Sequence, residues 1–240
     1  MNNKYKSILF SFVAIVFLSL FSFQVNALQM NPLSLVLKPS GGGTKQSFRV
    51  TNESNKPIAV QFSVTTRQQL NNKEIRKPAD KSFMVYPPQT IIPARSTQKV
   101  RVEWLGANKI PREQAYRLIA EQVFVSLDDK EKTGVKMLMT LIGALYVQPN
   151  GTKSNVQVRA VQRHGNKLAV TLSNSGTRHQ LMNYATLTLR NGAKVIALKG
   201  KNLIGIEGNN VLGGATKRFF IPLPKGFVNG RWTATIKYPR

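Results

Sequence analysis

Apolar and polar residues alternate with a period of two along most of the chain beyond residue 30. Residues 34–39 (SLVLKP), 46–52 (QSFRVTN) and 57–66 (PIAVQFSVTT) send alternate side chains to opposite faces, which predicts half-buried strands. Glycines 41–43 and the polar run 52–56 separate them as turns. Residues 83–104 give an extended, proline-bearing segment, a turn at Pro93-Ala94-Arg95 and another strand. Two long apolar strands follow, at 115–127 (AYRLIAEQVFVSL) and 135–149 (VKMLMTLIGALYVQP). About seven strands in ~120 residues, with turn signals between them, predict an immunoglobulin-like β-sandwich.

A breaker cluster at 148–152 (QPNGT) ends this region, and shorter strands separated by glycine- and asparagine-rich turns follow it. Helical periodicity with caps is missing throughout. The expected fold class is therefore all-β, with an immunoglobulin-like sandwich domain at residues 28–149 and a second all-β domain at 150–240.

The N-terminus changes the picture of where this chain works. Lys4 and Lys6 precede an apolar run at 8–23, and Val25-Asn26-Ala27 supplies the small residues of a cleavage site. Residues 1–27 read as a secretory signal peptide, without stable membrane insertion of the mature chain. Formal charge is +25 in the precursor and two units less once Lys4 and Lys6 are removed. The basic residues are scattered, with no dense run and no aromatic platform between them, so nucleic acid is not the expected partner. The charge reads instead as a field that steers acidic or membrane-proximal partners. Steep salt dependence across unrelated polyanions would mark a polyanion-binding protein instead. No cysteine is present, so each domain must be held by its core alone.

Candidate chemistry is sparse. His164 and His179 fall in expected surface turns, and only ten carboxylates are spread over the chain. Ser40-Gly41-Gly42-Gly43-Thr44 lacks the spacing of a phosphate loop and reads as a flexible hairpin turn. Asn52-Glu53-Ser54 and Asn150-Gly151-Thr152 match glycosylation sequons, which chance supplies often. No enzyme activity, metal site or cofactor is expected.

The strand at 135–149 is the most informative feature. Val135, Met137, Met139 and Leu141 share one face, and Lys136, Leu138, Thr140 and Ile142 the other. Both faces are largely apolar, as in a central core strand. The alternative is an edge strand whose apolar row is completed by a partner, a surface that methionine suits.

Several segments together resemble the periplasmic pilus chaperones of the chaperone–usher pathway. They are residues 32–64 (PLSLVLKPSGGGTKQSFRVTNESNKPIAVQFSV), 87–102 (PPQTIIPARSTQKVRV), 113–123 (EQAYRLIAEQV) and the final strand running into YVQP at 146–149. In the second half, 168–176 (LAVTLSNSG) and 211–224 (VLGGATKRFFIPLP) agree with the same pattern. The AYRL and EQ of the penultimate strand, and the missing lysine near the end of the last one, resemble the archaic branch.

The resemblance implies a boomerang of two immunoglobulin-like domains in the periplasm. It implies pilus subunits, including a tip subunit, and an outer-membrane usher as partners, with strand donation as the mode of binding. The donated face is assigned to Val135, Met137, Met139 and Leu141, because the alternate row contains Lys136. A one-residue slip would exchange the two rows. The family also anchors the subunit's terminal carboxylate with two basic side chains. Here Gly143 or Ala144 stands where the last-strand lysine belongs, so Arg117 is expected to replace it, with Lys38 as the first-strand partner. Arg101 and Glu121 are matched to the family's interdomain salt bridge. Exposure of the donor strand leaves the free protein able to cap itself by oligomerising. A secreted structural or adhesive module of a surface fibre is the alternative; residues 28–31 are too short to supply the self-complementing extension it would need.

Overall fold

The computed structural model describes residues 28–70, 72–124 and 138–239. The expected signal peptide lies outside the described residues.

The first half contains β1 (Leu28–Asn31), β2 (Ser34–Leu37), β3 (Lys45–Asn52), β4 (Ile58–Thr66), β5 (Gln68–Leu70) and β6 (Lys73–Ile75). It continues with β7 (Phe83–Tyr86), β8 (Gln89–Ile92), β9 (Thr97–Trp104), β10 (Gln114–Val123) and β11 (Thr140–Val147). One sheet has the order β1-β3-β9-β7 and the other β2-β11-β10-β4-β8. The first strand region thus serves both sheets, switching from one to the other between Asn31 and Ser34. The alternation read from the sequence is what builds the core. Phe48 and Val50 of β3, Val100 and Val102 of β9, Leu118 and Ala120 of β10, and Leu145 and Val147 of β11 are all buried between the sheets. Phe83 packs edge to face on Trp104 and Tyr116 at one end, and the three ring centroids lie 4.7–5.8 Å apart. Burial pushes the Tyr116 hydroxyl up to about 12.

The second half contains β12 (Val156–His164), β13 (Lys167–Asn174), β14 (Gln180–Leu181) and β15 (Thr186–Asn191). After them come β16 (Lys194–Leu198), β17 (Asn210–Val211), β18 (Thr216–Pro222) and β19 (Thr233–Lys237). Sheets β12-β13-β18 and β16-β15-β19 enclose a separate core around Leu168, Val170, Leu172, Leu187 and Leu189, and β14-β17 forms a short ribbon. Both halves are immunoglobulin-like β-sandwiches.

Each sandwich is pinned at one corner by a buried asparagine. Asn52, at the end of β3, donates through Nδ2 to the carbonyls of Lys56 (2.8 Å), Ile92 (3.1 Å) and Pro93 (3.0 Å). Its Oδ1 accepts from the Ser54 amide (2.9 Å) and hydroxyl (2.6 Å). Asn174, at the end of β13, donates to the carbonyls of Arg178 (2.8 Å) and Val211 (3.0 Å) and accepts from the amides of Asn155 (2.9 Å) and Gly176 (3.0 Å). The sequon at Asn52 is therefore a structural corner whose side-chain amide is fully engaged. The glycine-rich turn at Gly41–Thr44 is a single 3₁₀ turn.

Candidate functional site

β11 is paired unequally on its two sides. With β10 it pairs along its whole length, from Glu121↔Thr140 to Gln114↔Val147. On the other side β2 runs parallel to it only from Ala144↔Ser34 to Val147↔Leu37. The Ala144 amide donates to the Leu33 carbonyl (2.8 Å), while the Gln122 amide on the opposite side donates to the Met139 carbonyl (2.9 Å). Main-chain groups alternate along a strand, so those of Thr140 and Ile142 point to the same side as Ala144's. Among the described residues no strand pairs with β11 there.

The side chains of this open stretch divide by face. Met139 and Leu141 are half-buried at the rim of the N-terminal core, in line with buried Gly143, Leu145 and Val147. Leu138, at 50 % exposure, and Ile142, at 41 %, point outward with Thr140. Of the four residues assigned to the donated face, Met139 and Leu141 thus share the core-facing row; Val135 and Met137 lie outside the described residues. Gly143 lets this strand close on the core: a Cβ there would stand 2.7 Å from Met30 Sδ and 3.3 Å from Phe48 Cε1.

Beside the open edge, a charged cluster joins the two sandwiches. Arg117 of β10 stands directly across from Ala144, on the same face. Its guanidinium takes both oxygens of Glu74, Nε to Oε1 at 3.0 Å and Nη2 to Oε2 at 2.6 Å. Glu74 is presented by the β5–β6 hairpin, whose turn residue Asn72 adopts a left-handed φ of 67°. Asparagine tolerates that conformation. Its side chain also binds the second sandwich, accepting from the Arg218 amide (2.6 Å) and donating to the Arg218 carbonyl (2.9 Å). Arg67 is the buried centre of the cluster. It donates to Glu74 Oε2 (2.9 Å), the Tyr146 hydroxyl (3.0 Å) and Asn210 Oδ1 (2.9 Å). Asn210 in turn donates to the Tyr146 hydroxyl (2.7 Å), and Arg76 donates to Glu74 Oε1 (2.6 Å). Nearby, Glu113 Oε1 accepts from the His179 amide (2.9 Å) and lies 2.7 Å from its Nδ1, and the His179 ring stacks on Tyr146 at 3.9 Å.

Burial alone would raise the Glu74 pKa. Hydrogen bonds from Arg117 and Arg76 and the charges of Arg117 and Arg67 outweigh it and hold the carboxyl down to about 2. The Lys217 pKa is lowered as well, by burial and then by the Arg67 and Arg117 charges, with Glu74 opposing. Four cations, Arg67, Arg76, Arg117 and Lys217, thus face two carboxylates, Glu74 and Glu113, around the cleft. Because the folded pKa of Glu74 lies below its unfolded value near 4.5, its contribution is fully present above pH 4.5. It is lost as pH falls toward 2. Allowing for the 22 % exposure of the side chain, we expect on the order of 2 kcal/mol from this source. Acid titration of unfolding should show it, and Glu74→Gln should flatten that acid limb.

The other sequence-derived assignments fall elsewhere. Lys38 lies just beyond β2, and its Nζ donates to Asn150 Oδ1 (2.9 Å). From the β2–β11 register it sits some four residues further along than Ala144, about 13 Å at ~3.3 Å per residue, so it is not brought to Arg117. The Arg101–Glu121 salt bridge is corrected. Arg101 is on β9, exposed and opposite Ser47 and Tyr86, whereas Glu121 is on β10 in the other sheet, opposite Thr140 and Gln61. The interdomain charges are carried by Arg67, Glu74 and Arg117, with Glu113 beside them. Sequence reasoning passed over Glu74 and Arg67 because they sit in a polar stretch (RQQLNNKEIRK, 67–77) that reads as an ordinary loop. The one available signal was an asparagine pair between two short polar runs, which marks a hairpin turn.

Residues 27–153, more than half of the chain, match the family described as pili and flagellar-assembly chaperones, PapD N-terminal domain. No curated protein sequence matches. Solved structures share the two-domain fold. The CsuC–CsuE chaperone–tip adhesion subunit complex of Acinetobacter baumannii aligns at 17 % identity and TM-score 0.55, covering 80 % of this chain and 89 % of that one. The Salmonella enterica SafA pilin–SafB chaperone complex aligns at 20 % identity and TM-score 0.54, covering 84 % and 86 %. The E. coli chaperone DraB aligns at 21 % and 0.52, covering 84 % and 88 %. These likenesses carry the architecture, and the sequence match over the first sandwich carries the family, one of chaperones rather than enzymes. The chain belongs to the pilus-assembly chaperones of the PapD family.

Proposed function

We propose that this protein is a periplasmic chaperone of the archaic branch that lends β11 to pilus subunits and passes them to an outer-membrane usher. The observation that carries the reading is the half-paired edge of β11, where Thr140 and Ile142 present main-chain groups with no neighbouring strand among the described residues. A subunit that lacks one strand of its own sandwich gains that strand here, as a ladder of main-chain hydrogen bonds. Its apolar core is completed by the row Val135, Met137, Met139 and Leu141. Met139 and Leu141 are only half-covered by the chaperone's own core, so an incoming subunit finishes burying them. Full burial of such side chains contributes ~1.5–3 kcal/mol each before ordering costs. Arg117, across from Ala144, receives the subunit's terminal carboxylate in the cleft. The relatives solved with a pilin and with a tip adhesion subunit support subunits of both kinds as partners. In a free protein the same edge is where a second copy would cap the strand.

The test is co-expression in a periplasm with the secreted subunit-like proteins encoded beside its gene, followed by affinity capture. Wild type should bring down a subunit one-to-one, and Met137→Glu/Met139→Glu should abolish capture while the chaperone stays folded. Leu138→Glu/Ile142→Glu, on the opposite face, should retain capture. If the second pair abolishes it and the first does not, the register of the donated face is reversed. Indifference to both pairs would sink strand donation.

A further inference from the structure

The arginine assigned to anchor a subunit's carboxylate already holds one. Glu74 fills the Nε/Nη2 face of the Arg117 guanidinium, and Arg67 and Arg76 hold the same two oxygens. The cluster is reachable from solvent: the side chains of Glu74, Arg117 and Arg76 are 22 %, 18 % and 36 % exposed, while that of Arg67 is 8 % exposed. We propose that Glu74 is a resident stand-in for the ligand, a carboxylate that occupies the anchor of the empty chaperone and yields Arg117 to the terminal carboxylate of a docked subunit strand. This rests on the reading of Arg117 as that anchor.

Three features of the cluster make the exchange workable. Glu74 keeps Arg67 and Arg76 when Arg117 changes partner, so no carboxylate is stranded without a cation. Positive charge in the cleft exceeds what Glu74 and Glu113 neutralise, since Lys217 also stands there, its Nζ donating to Asn209 Oδ1 at 3.3 Å and lying 4.9 Å from the centroid of the Phe219 ring. A second carboxylate therefore enters a field that favours it. Finally, Glu74 rides on a hairpin of two three-residue strands, a small element able to shift without disturbing either core.

The arrangement also makes the anchor selective. A tethered side chain competes at an effective concentration on the order of millimolar or above, so a small carboxylate diffusing freely does not evict it. A carboxylate delivered on a strand already paired with β11 is tethered too, and meets Glu74 on equal terms. The anchor thus responds to strand-borne termini and ignores periplasmic metabolite acids.

The experiment follows the Arg117 Nε–H resonance in the mature full-length chain during titration with sodium acetate against sodium chloride. In wild type, acetate should move it no more than chloride does. In Glu74→Gln, acetate should produce a saturable shift at concentrations about tenfold or more below any wild-type response. Equal acetate responses in the two proteins, or none in the variant, would overturn the proposal and leave Glu74 as a structural tie. Glu74→Asp, which keeps the charge and shortens the reach, answers the same question if the glutamine variant does not fold, with a smaller shift in the same direction expected. Subunit capture separates the two readings. Retention of a subunit by Arg117→Ala as tightly as by wild type would remove Arg117 as anchor whatever the acetate result. Loss with Arg117→Ala, together with slower subunit dissociation from Glu74→Gln, supports both.

Discussion

Asn52→Ala will destabilise the N-terminal sandwich by on the order of 3–5 kcal/mol, a large share of the stability of an ordinary domain. The side chain is 1 % exposed, and its removal strips partners from three backbone carbonyls and from Ser54. Each buried group left without a partner costs about 1–3 kcal/mol. Asn52→Asp should be nearly as damaging, because a carboxylate cannot donate to those carbonyls. Asn174→Ala should do the same to the C-terminal sandwich, where the asparagine is fully buried and joins β13 to Arg178, Val211, Asn155 and Gly176. Urea unfolding followed separately in each domain checks this: each substitution should move the transition of its own domain. A shift below about 1 kcal/mol would mean the corner relaxes around the loss.

Arg67→Ala will loosen the joint between the sandwiches rather than either core. Its guanidinium ties Glu74 to Tyr146 and to Asn210 of the second sandwich, and no neighbouring side chain duplicates that fork. The Tyr146 hydroxyl keeps Asn210, and Glu74 keeps two arginines, so we expect about 2–3 kcal/mol rather than the full cost of breaking a buried pair. Small-angle scattering should show a broader distribution of interdomain distances, with each domain's own unfolding little changed. Arg67→Lys should resemble alanine, since an ammonium cannot serve three acceptors spread around a planar fork.

Much of the fold could be read from the alternation alone. β3, β4, β9 and β10 all lie where period-two patterning puts them, because each has one face on a core and the pattern records that burial directly. The joint was not readable. Arg67, Glu74 and Asn210 are far apart in sequence and become neighbours only when two finished sandwiches meet. Nothing in local composition encodes such a meeting. The Arg101–Glu121 pairing, an implication of the family resemblance, fails for a related reason: the sequence does not say which sheet each strand joins. Once β9 and β10 are placed in opposite sheets, two outward-facing side chains on them point away from each other. Arg117 is more legible: it shares a strand face with Ile119 and Val123, and a cation in such a row stands out in the sequence.

The switch of the first strand region from one sheet to the other fixes more than the closure of the sandwich. From Ala144 onward the edge of β11 is already taken by β2, and Leu33 occupies the first hydrogen-bonding position. Any strand added beside Thr140 and Ile142 must end or turn aside where Leu33 begins. That doorstop works as a ruler. For such a strand it sets the stopping point, level with Ala144 and one strand away from Arg117, before a single side chain has been read.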